Sequence, residues 1–522
     1  MAKKNLKIGT IETVYKVLNK IADPVGFFNR LKTGSDAFLL ESADIIKKYG
    51  DKSVGCVEPC LKIVIKDGRF SIYALNKTGQ KFLAYIKDDF SFVKNLKIRK
   101  DKISGIAEKD NELKDEETRL KARSIFDILR VIAFKFKPGV KLDIPFCGLF
   151  GIISYDTIDY FEELPKQEKL ANELPDIEFY FADKLFVMDH IQKKTYLIAN
   201  LLVMDGNYKK DYSDCMDTIN KYEKIFNKFS NYAVSDIANK NKAVVSVSDE
   251  DFGKIVSKIK EHINEGDIFQ CVVSRTFKTK IADNPLDIYA RLKSINPGPY
   301  MFYFQNEKYI LLGSSPETCL KVSGDKEKIV EIKPIAGTLP RGRKGKEIDP
   351  ELDSRYELDL LLDKKELAEH CMLLDLARND VAKVSLASTR ITPRILKIEK
   401  FSHVQHIVSD VQGVLRPELD ALHAYMATMN MGTLTGAPKI KAMELIRKYE
   451  KEKREFYGGA VCYLTPYGDF DSCIVIRAIT IKNGVALVRA GAGIVYDSEP
   501  KKEAEETKRK ANACLAALGV KE

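Results

Sequence analysis

Helical and strand-like patterns are interspersed along this chain without a regular strand–helix–strand repeat. One helical pattern carries apolar residues on a single face, at Phe252, Ile255, Ile259 and Ile263. A strand-like run follows it from Phe269, and both kinds of pattern recur irregularly up to residue 518. A doubly wound parallel sheet requires strands and helices to alternate strictly. The sequence therefore predicts a large α+β fold.

The patterns also predict how the chain is divided. Strand-like runs occupy Leu61–Ile65, Phe70–Leu75, Leu149–Tyr155, Lys184–Asp189, Ala460–Leu464, Ser472–Ile481 and Val485–Arg489. Helical patterns occupy Glu357–Arg378, Asp420–Met429, Ile440–Glu450 and Glu503–Leu518. The charged segment Asn227–Asp251 lacks apolar periodicity over most of its length and indicates a connector. We therefore expect an N-terminal domain over 1–235, a connector over 236–250 and a second domain over 251–522.

Composition excludes several classes of protein. A chain of 522 residues can bury a large core, and 45% hydrophobic with 31% charged residues is typical of globular proteins. No apolar run reaches the roughly 18 residues that a membrane span requires, so no membrane association is expected. The opening MAKKNLKIGT lacks the apolar stretch of a secretory signal. The ten cysteines form no CxxC pair, so we expect reduced thiols in the cytoplasm.

The formal net charge of +10 could suit an acidic ligand. The lysines, however, are interleaved with aspartate and glutamate, and no basic block with aromatic spacing occurs. Nucleic-acid binding is therefore not expected.

Two acidic runs are candidate metal ligands. Glu366, Glu369 and His370 share one face of a predicted helix, and Glu503 and Glu506 have the same spacing on a second helix. Carboxylates from two helices that meet at one cleft can hold Mg²⁺, which prefers oxygen ligands. The alternative is two solvated acidic faces paired with nearby lysines, and spacing alone favours that alternative.

Other polar residues are weaker candidates. Arg477 lies in the apolar pattern DSCIVIRAIT, where a guanidinium needs a partner or a ligand carboxylate. Glu317 ends a strand-like run and is a candidate acid with a raised pKa. His406 is one of six histidines, and a hydrogen-bonded core role is the simpler interpretation. The glycine-rich segments Gly432–Lys439 and Arg489–Asp497 match neither a P-loop nor a dinucleotide loop, and taken alone indicate tight turns.

Many longer motifs occur together in a fixed order, which makes their combination specific. They are LLES (39–42), GDIFQ (266–270), NPGPYMFYF (296–304), GSSPE (313–317), PIAGT (334–338), KELAEHCMLLDLARND (365–380), MNMGTLTGAPK (429–439), FYGGAV, DSCIVIR and AGAGIVYDS. Together they closely resemble component I of anthranilate synthase over nearly the whole chain. The resemblance implies a chorismate-binding α+β fold in which helices surround antiparallel sheets. It also implies that 251–522 is catalytic and that 1–235 contributes a tryptophan feedback site.

The resemblance implies a Mg²⁺-dependent lyase that converts chorismate and ammonia to anthranilate and pyruvate, the first step of tryptophan biosynthesis. Glu317 would protonate the departing hydroxide, because hydroxide is a poor leaving group. His406 would act in pyruvate elimination, and Thr433 matches another active-site position. Glu369 and Glu506 would bind Mg²⁺. The residues that match substrate-binding positions are Gly337, Thr338, Tyr457, Arg477, Gly491, Ala492, Gly493, Glu366 and Glu503.

Two positions distinguish this chain from sister enzymes of the same fold. Aminodeoxychorismate synthases carry a nucleophilic lysine where this chain has Ala336. Isochorismate and salicylate synthases carry a basic lysine near the position of Gln270, and an amide lacks that basicity. Ammonia is therefore the expected nucleophile, and aminodeoxychorismate synthase component I is the remaining alternative.

The resemblance also implies partners and regulation. No glutaminase motif surrounds any cysteine, so a separate glutamine amidotransferase subunit (component II) should supply ammonia in a hetero-oligomer. Tryptophan should bind as a feedback inhibitor at residues that match the family's site: Glu41, Ser42, Lys52, Pro299, Tyr300, Met301 and Cys473. One departure is Leu339, which replaces an arginine of the usual PIAGTRPRG and puts only the local loop charge in doubt.

Overall fold

The computed structural model describes residues 6–43, 52–107, 115–167, 174–206, 208–228, 230–237, 242–345, 347–401 and 404–520. Elements are numbered along the chain. The helices are α1 (Pro24–Leu31), α2 (Lys77–Ile86), α3 (Glu116–Lys121), α4 (Asp127–Ala133), α5 (Lys209–Phe226), α6 (Asp249–Asn264), α7 (Pro285–Ile295), α8 (Pro350–Leu362), α9 (Lys364–Ala382), α10 (Ala421–Thr428), α11 (Gly432–Thr435), α12 (Lys439–Tyr449) and α13 (Pro500–Ala517). Short 3₁₀ turns cover Lys87–Phe90 and Tyr155–Tyr160.

The first large sheet combines strands from both halves of the sequence. Its order is β13 (Val244–Val245), β14 (Gln270–Lys280), β28 (Val485–Ile494), β27 (Ala478–Lys482), β16 (Ile310–Ser315), β15 (Tyr300–Gln305), β2 (Ala37–Glu41), β3 (Lys52–Cys56), β11 (Lys184–Asp189), β12 (Lys194–Val203), β1 (Thr10–Leu18) and β8 (Lys137–Pro138), with β24 (Gly436–Ala437) paired to β14. Its ladders are antiparallel apart from the short β1–β8 pair.

The second large sheet is also drawn from both halves. Its order is β19 (Ile335–Pro340), β23 (Val404–Val414), β18 (Ile329–Ile332), β17 (Thr318–Ser323), β26 (Phe470–Ile474), β25 (Ala460–Leu464), β9 (Gly148–Ile153), β10 (Ile177–Ala182), β4 (Leu61–Lys66), β5 (Arg69–Ala74), β7 (Lys102–Ile106) and β6 (Lys94–Ile98), with β22 (Ile391–Lys400) paired to β23. A small hairpin joins β20 (Arg343–Lys344) to β21 (Glu347–Ile348). The expected α+β fold with antiparallel sheets is confirmed.

The core explains why many strands are apolar along their whole length. In β15, Phe302 and Phe304 belong to the core that the two sheets share, whereas Met301 and Tyr303 belong to the core beneath the outer helices. Successive side chains of a strand point to opposite faces. Because both faces of this strand are covered, its sequence shows no polar–apolar alternation.

Two predicted elements are each divided in the structure. The helical pattern Glu357–Arg378 is two helices, because Asp363 ends α8 and caps α9 by accepting hydrogen bonds from the backbone N–H groups of Lys365 and Glu366. The run Ser472–Ile481 is likewise two strands, β26 and β27, separated at residues 475–477. The prediction that Arg477 lies within a strand was therefore wrong.

The proposed division into 1–235, 236–250 and 251–522 stays a prediction. Strands from both sides of the connector lie in the same two sheets, and residues 238–241 of the connector are outside the described part of the chain. Helices α6, α7 and α13 pack on one another or on the first sheet, while α9 packs on β19 and β23. Strand β28, on which α13 packs, also approaches α9, because a Cβ added at Gly493 would lie 3.8 Å from Glu369 Oε1.

Candidate active site

Four glutamates from α9 and α13 form one acidic cluster. The pKa of Glu366 is raised, mainly by burial and next by the charge of Glu369, with a smaller contribution from Glu506. Burial also raises the pKa of Glu369 and of Glu503, and the charge of Glu506 contributes to both. Carboxylates that share a poorly solvated region raise one another's pKa in this way. The acidic residues of the two helices therefore influence one another's ionisation.

Lys510 partly neutralises this cluster. Its ammonium lies 2.6 Å from Glu506 Oε1. Burial alone would raise the pKa of Glu506, but the charge and hydrogen bond of Lys510, together with the charges of Arg509 and Lys365, outweigh burial and lower it. Glu506 thus has the lysine partner that the alternative interpretation expects. Glu503 is buried, with a relative exposure of 6%, so it does not lie on a solvated acidic face.

Gln270, at the start of β14, connects the cluster to the neighbouring strand. Its Nε2 donates a 2.8 Å hydrogen bond to Glu369 Oε1. A Cβ added at Gly493 of β28 would lie 2.9 Å from Gln270 Nε2 and 3.8 Å from Glu369 Oε1. A side chain at position 493 would therefore fill the space beside the carboxylate. Glycine at this position keeps that space open for a ligand.

Glu317 is a buried acid that follows β16. Burial raises the pKa of Glu317 to about 7, and the nearby Thr433 hydroxyl and the Lys510 charge only partly oppose the shift. Thr433 lies in the one-turn helix α11. A carboxyl group with this pKa is substantially protonated at neutral pH, so Glu317 is able to act as a general acid.

Arg477 and Tyr457 line the same region opposite the acidic cluster. Arg477 has a left-handed backbone, with φ of 51°, and its guanidinium donates to the backbone carbonyl of Lys510. Burial lowers the pKa of Arg477, and Cys514, Tyr457 and Glu506 only partly oppose the shift. Burial raises the pKa of Tyr457 to about 12. A Cβ added at Gly491 would lie 2.9 Å from the Tyr457 hydroxyl, so glycine is needed there too.

Gly337, Thr338 and His406 form the edge of the site on the second sheet. A Cβ added at Gly337, which has φ of 75°, would lie 3.2 Å from Glu366 Oε2. His406 Nδ1 lies 2.9 Å from Thr338 Oγ1 and 3.2 Å from the carbonyl oxygen of Gly337. Burial lowers the pKa of His406 to about 4, so its imidazole is neutral near pH 7. A neutral imidazole is able to accept a proton.

The contacts described above link the predicted catalytic and substrate-binding residues to one another, except Ala492. Ala492 lies between Gly491 and Gly493 on β28, and its side chain belongs to a separate apolar core. His370 is also separate from the site. This histidine is fully buried and lies 2.7 Å from Ser409 Oγ beneath the second sheet, where burial lowers its pKa to about 4. His370 therefore anchors α9 to β23.

A second cavity, of about 480 Å³, contains all seven residues expected to bind tryptophan. Glu41, Ser42, Lys52, Pro299, Tyr300, Met301 and Cys473 line it. Strand pairing explains the grouping, since Glu41 of β2 is directly opposite Met301 of β15 and Ser53 of β3. The volume lies within the range of roughly 300–1,000 Å³ typical of small-molecule sites.

This cavity contacts the strand that follows the buried acid. The Tyr300 hydroxyl lies 3.1 Å from Thr318 Oγ1, next to Glu317, and donates to Asp471 at 3.0 Å. The Glu41 carboxylate accepts hydrogen bonds from Tyr289 at 2.7 Å and Lys293 at 2.6 Å. Tyr300 therefore links this cavity to the segment that carries Glu317.

Another group of metal-ligand side chains lies at the end of α6. Within the described residues, His262, Glu265 and Asp267 place ligand atoms within 4.8 Å of one another. Both ring nitrogens of His262 already have partners, in Asp267 at 2.8 Å and the Tyr449 hydroxyl at 3.1 Å. This group therefore has a structural role at the helix terminus.

Comparison with known proteins identifies the family. A family model for chorismate binding enzymes matches residues 79–516. Anthranilate synthase component 1 of Vibrio cholerae is 42% identical over 523 residues, which covers 98% of this chain and 97% of that protein. The chain belongs to the anthranilate synthase component 1 family.

Solved structures agree with this membership. Anthranilate synthase component I from Streptococcus pneumoniae matches with a TM-score of 0.69 and 29% identity, over 89% of this chain and 92% of that one. The menaquinone-specific isochorismate synthase of Escherichia coli matches with a TM-score of 0.66 and 15% identity, over 99% and 96%. At that identity the second match establishes the fold alone. In the chain's described residues, no helix of this family member is long and apolar enough to cross a membrane.

The sequence motifs did not reveal every residue of this site. Lys510 contacts Glu506 and influences Glu317, Glu369 and Glu503. Its position four residues after Glu506 on α13 was the available signal, because residues at that spacing share a helix face. Asp380 is buried and lies 2.5 Å from the Lys439 ammonium, a pairing between distant segments that spacing cannot indicate.

Proposed function

We propose that this chain is the Mg²⁺-dependent large subunit of anthranilate synthase, a lyase that converts chorismate and ammonia to anthranilate and pyruvate. The observation that carries the proposal is the meeting of four glutamates from α9 and α13 beside a buried glutamic acid. Family membership supports the same conclusion.

The charge of the site supports a metal. Chorismate is a dianion. The positive charges near the site, which are Arg477, Lys510 and the exposed Lys365, do not outnumber the four glutamates of α9 and α13. An acidic cluster of this kind would repel a dianion unless a divalent cation lay between them. Oxygen ligands on helices fit Mg²⁺. Glu369 and Glu506 would hold this ion, which when bound supplies an electrostatic clamp for the ring carboxylate, with Glu366 and Glu503 close by.

The residues of the chain account for substrate orientation. Arg477 offers a planar guanidinium, which grips a carboxylate through two parallel hydrogen bonds. Glycines 491 and 493 let the ring approach β28, and Tyr457 closes that side. Gly337 and Thr338 bound the opposite edge, near Glu366. Fixing the ring between these groups removes much of the entropic barrier to the addition of ammonia.

Glu317 supplies the proton in the first step. Ammonia adds at ring carbon 2 as the bond to the 4-hydroxyl breaks, and the proton of Glu317 goes to the departing oxygen to give water. A pKa of about 7 matches this task, because a general acid works best when its pKa is near the working pH. The resulting carboxylate then regains a proton from the new ammonium group or from solvent.

His406 is the candidate for the second step. Its neutral imidazole can accept a proton, and it bonds to Thr338 at the edge of the site. Loss of the proton from carbon 2, with cleavage of the enolpyruvyl ether bond and protonation of its methylene carbon, gives anthranilate and pyruvate.

The identity of two side chains supports ammonia as the nucleophile. Ala336 has no amine that could attack the ring, and Gln270 has no basicity to activate water. A component 2 partner would generate ammonia from glutamine, as the component 1 name of the relatives suggests. The expected cytoplasmic location is part of the same proposal.

We also propose that tryptophan inhibits the enzyme from the cavity of about 480 Å³. Glu41 would attract the ammonium group of the effector, and the contact from Tyr300 to Thr318 would transmit occupancy to Glu317. Coupling of this kind requires two states that the effector binds unequally.

One assay tests the proposal. Purified protein incubated with chorismate, MgCl₂ and ammonium chloride should form fluorescent anthranilate and pyruvate in equal amounts, and added tryptophan should suppress both. Accumulation of 4-amino-4-deoxychorismate would instead indicate the sister activity. The absence of any product in the presence of Mg²⁺ would refute the proposal.

A further inference from the structure

A small cavity lies beside Glu317. It has a volume of about 20 Å³, and apolar side chains such as Ile332, Leu376 and Ala377 form most of its wall. Its polar lining comes from Glu317, Thr433 and Asp380. A cavity needs roughly 10–15 Å³ on this measure to hold a water molecule. The cavity therefore has room for one water and is too small for substrate.

Two polar atoms at this cavity lack partners. Within the described residues, neither Glu317 Oε1 nor Thr433 Oγ1 makes a hydrogen bond, although both atoms are buried. Glu317 as a whole is only 8% exposed. A buried polar atom without a partner typically costs about 1–3 kcal/mol, so native proteins usually provide one. A single water in the cavity would meet both needs.

Asp380 supplies the third partner that such a water requires. Asp380 lines the same cavity. Its Oδ2 lies 2.5 Å from the Lys439 ammonium, which also donates a 2.8 Å hydrogen bond to the Thr428 carbonyl oxygen. The ion pair fixes a charged acceptor at the cavity wall. A water there can donate one hydrogen to Glu317 Oε1, donate the other to Asp380 and accept the Thr433 hydroxyl hydrogen. Buried waters typically make about three hydrogen bonds.

We propose that this cavity binds one ordered water molecule and that Asp380, acting through this water, is a positioning residue for the Glu317 acid. The inference rests on the proposed function and deepens it. With Oε1 engaged by the water, the acidic proton is held on Oε2, which is free to face the substrate. Thr433 orients the water by donating its hydroxyl hydrogen to it.

Ala377→Val provides the sharpest test, because it fills the cavity without removing a polar group. Ala382→Val is the control, since it makes the same side-chain change at an exposed residue in the last turn of the same helix. We expect Ala377→Val to lower kcat at least about tenfold with KM for chorismate within about twofold, because only transition-state positioning is lost. Equal kcat in the two variants would overturn the proposal.

The pH profile separates positioning from general damage. Removing the water removes a donor to the Glu317 carboxylate, so Ala377→Val should move the basic limb of kcat/KM to higher pH. Asp380→Asn removes a negative charge and leaves Lys439 uncompensated, so the same limb should move to lower pH. The other groups near Glu317, Lys510 and the Cys319 thiol, are unchanged in both variants. Shifts in the same direction, or no shifts, would contradict the assigned roles.

Thr433→Val and Thr433→Ser complete the test if Ala377→Val folds poorly. Thr433→Val keeps the shape of the side chain and should lower kcat, whereas Thr433→Ser should restore most of it. A high-resolution crystal structure of the wild-type protein should show a water peak about 2.7–3.2 Å from Glu317 Oε1 and Thr433 Oγ1. An empty cavity would refute the inference. Wild-type protein that forms no anthranilate from chorismate and ammonium would instead refute the proposed function.

Discussion

Replacing Glu317 with glutamine should stabilise the folded protein at alkaline pH while abolishing turnover. Burial raises the pKa of Glu317 to about 7 from an ordinary value of 4.5. The folded state therefore holds this proton more tightly than the unfolded state, and the free energy of unfolding falls as pH rises from about 4.5 to about 7. At 1.36 kcal/mol for each pKa unit, the cost of ionising the buried carboxyl is about 3 kcal/mol above pH 7.

Glutamine has nearly the same shape and never ionises, so Glu317→Gln removes that cost. The difference in the free energy of unfolding between Glu317→Gln and the wild type should therefore change with pH. It should be about 3 kcal/mol more favourable to the variant above pH 7 than near pH 4.5. Urea unfolding at a series of pH values, followed by tyrosine fluorescence and circular dichroism, measures the difference. Glu327→Gln, at an exposed glutamate in the turn between β17 and β18, controls for the loss of one surface charge.

The activity of the same variants completes the experiment. Glu317→Gln should lower kcat at least about a hundredfold, in line with the usual contribution of a general acid, whereas Glu327→Gln should not. A stability difference between wild type and Glu317→Gln that does not change with pH would show that Glu317 is not held protonated by its surroundings. The assignment of the acid would then fail.

Three other substitutions test the remaining parts of the site. Glu369→Gln should raise the Mg²⁺ concentration for half-maximal activity at least about tenfold, because a metal ligand loses its charge; a Mg²⁺ titration like that of the wild type would exclude it as a ligand. Gly493→Ala should raise KM for chorismate about tenfold, because the added Cβ would lie 2.9 Å from Gln270 Nε2, and unchanged steady-state kinetics would show that the ligand does not approach β28 here. Ser42→Phe should raise the tryptophan concentration for half-inhibition at least about tenfold by filling the cavity, and wild-type sensitivity in the same assay would place the effector elsewhere.

The sequence was most informative where local chemistry determines structure. Regular periodicity predicted strands such as Leu61–Ile65 and helices such as Ile440–Glu450, and both are present with boundaries shifted by about one residue. The break at Asp363 was missed because apolar residues continue through it, although aspartate is a strong helix N-cap. The turn at Arg477 was missed because a left-handed arginine leaves no mark in an apolar pattern.

The site, like the fold, was predictable where motifs specify it and not where tertiary packing does. Motif order placed Glu317, the α9 glutamates and the α13 glutamates in one site, and the described residues are compatible with that grouping. The spacing of Lys510 and Glu506 on one helix was a usable signal that the motifs did not include. Spacing could not show that Asp380 would share a cavity with Glu317, because that depends on tertiary packing, which local periodicity does not encode.

The pairing of β2 with β15 has a consequence for biosynthesis. Glu41 of β2 is opposite Met301 of β15. Strand β2 therefore leaves the ribosome long before β15, which is synthesised 260 residues later. Until then its backbone donors and acceptors form an open edge that is prone to aggregation. We expect nascent chains of this protein to engage chaperones for most of translation. A fragment ending near residue 235 should accumulate as inclusion bodies.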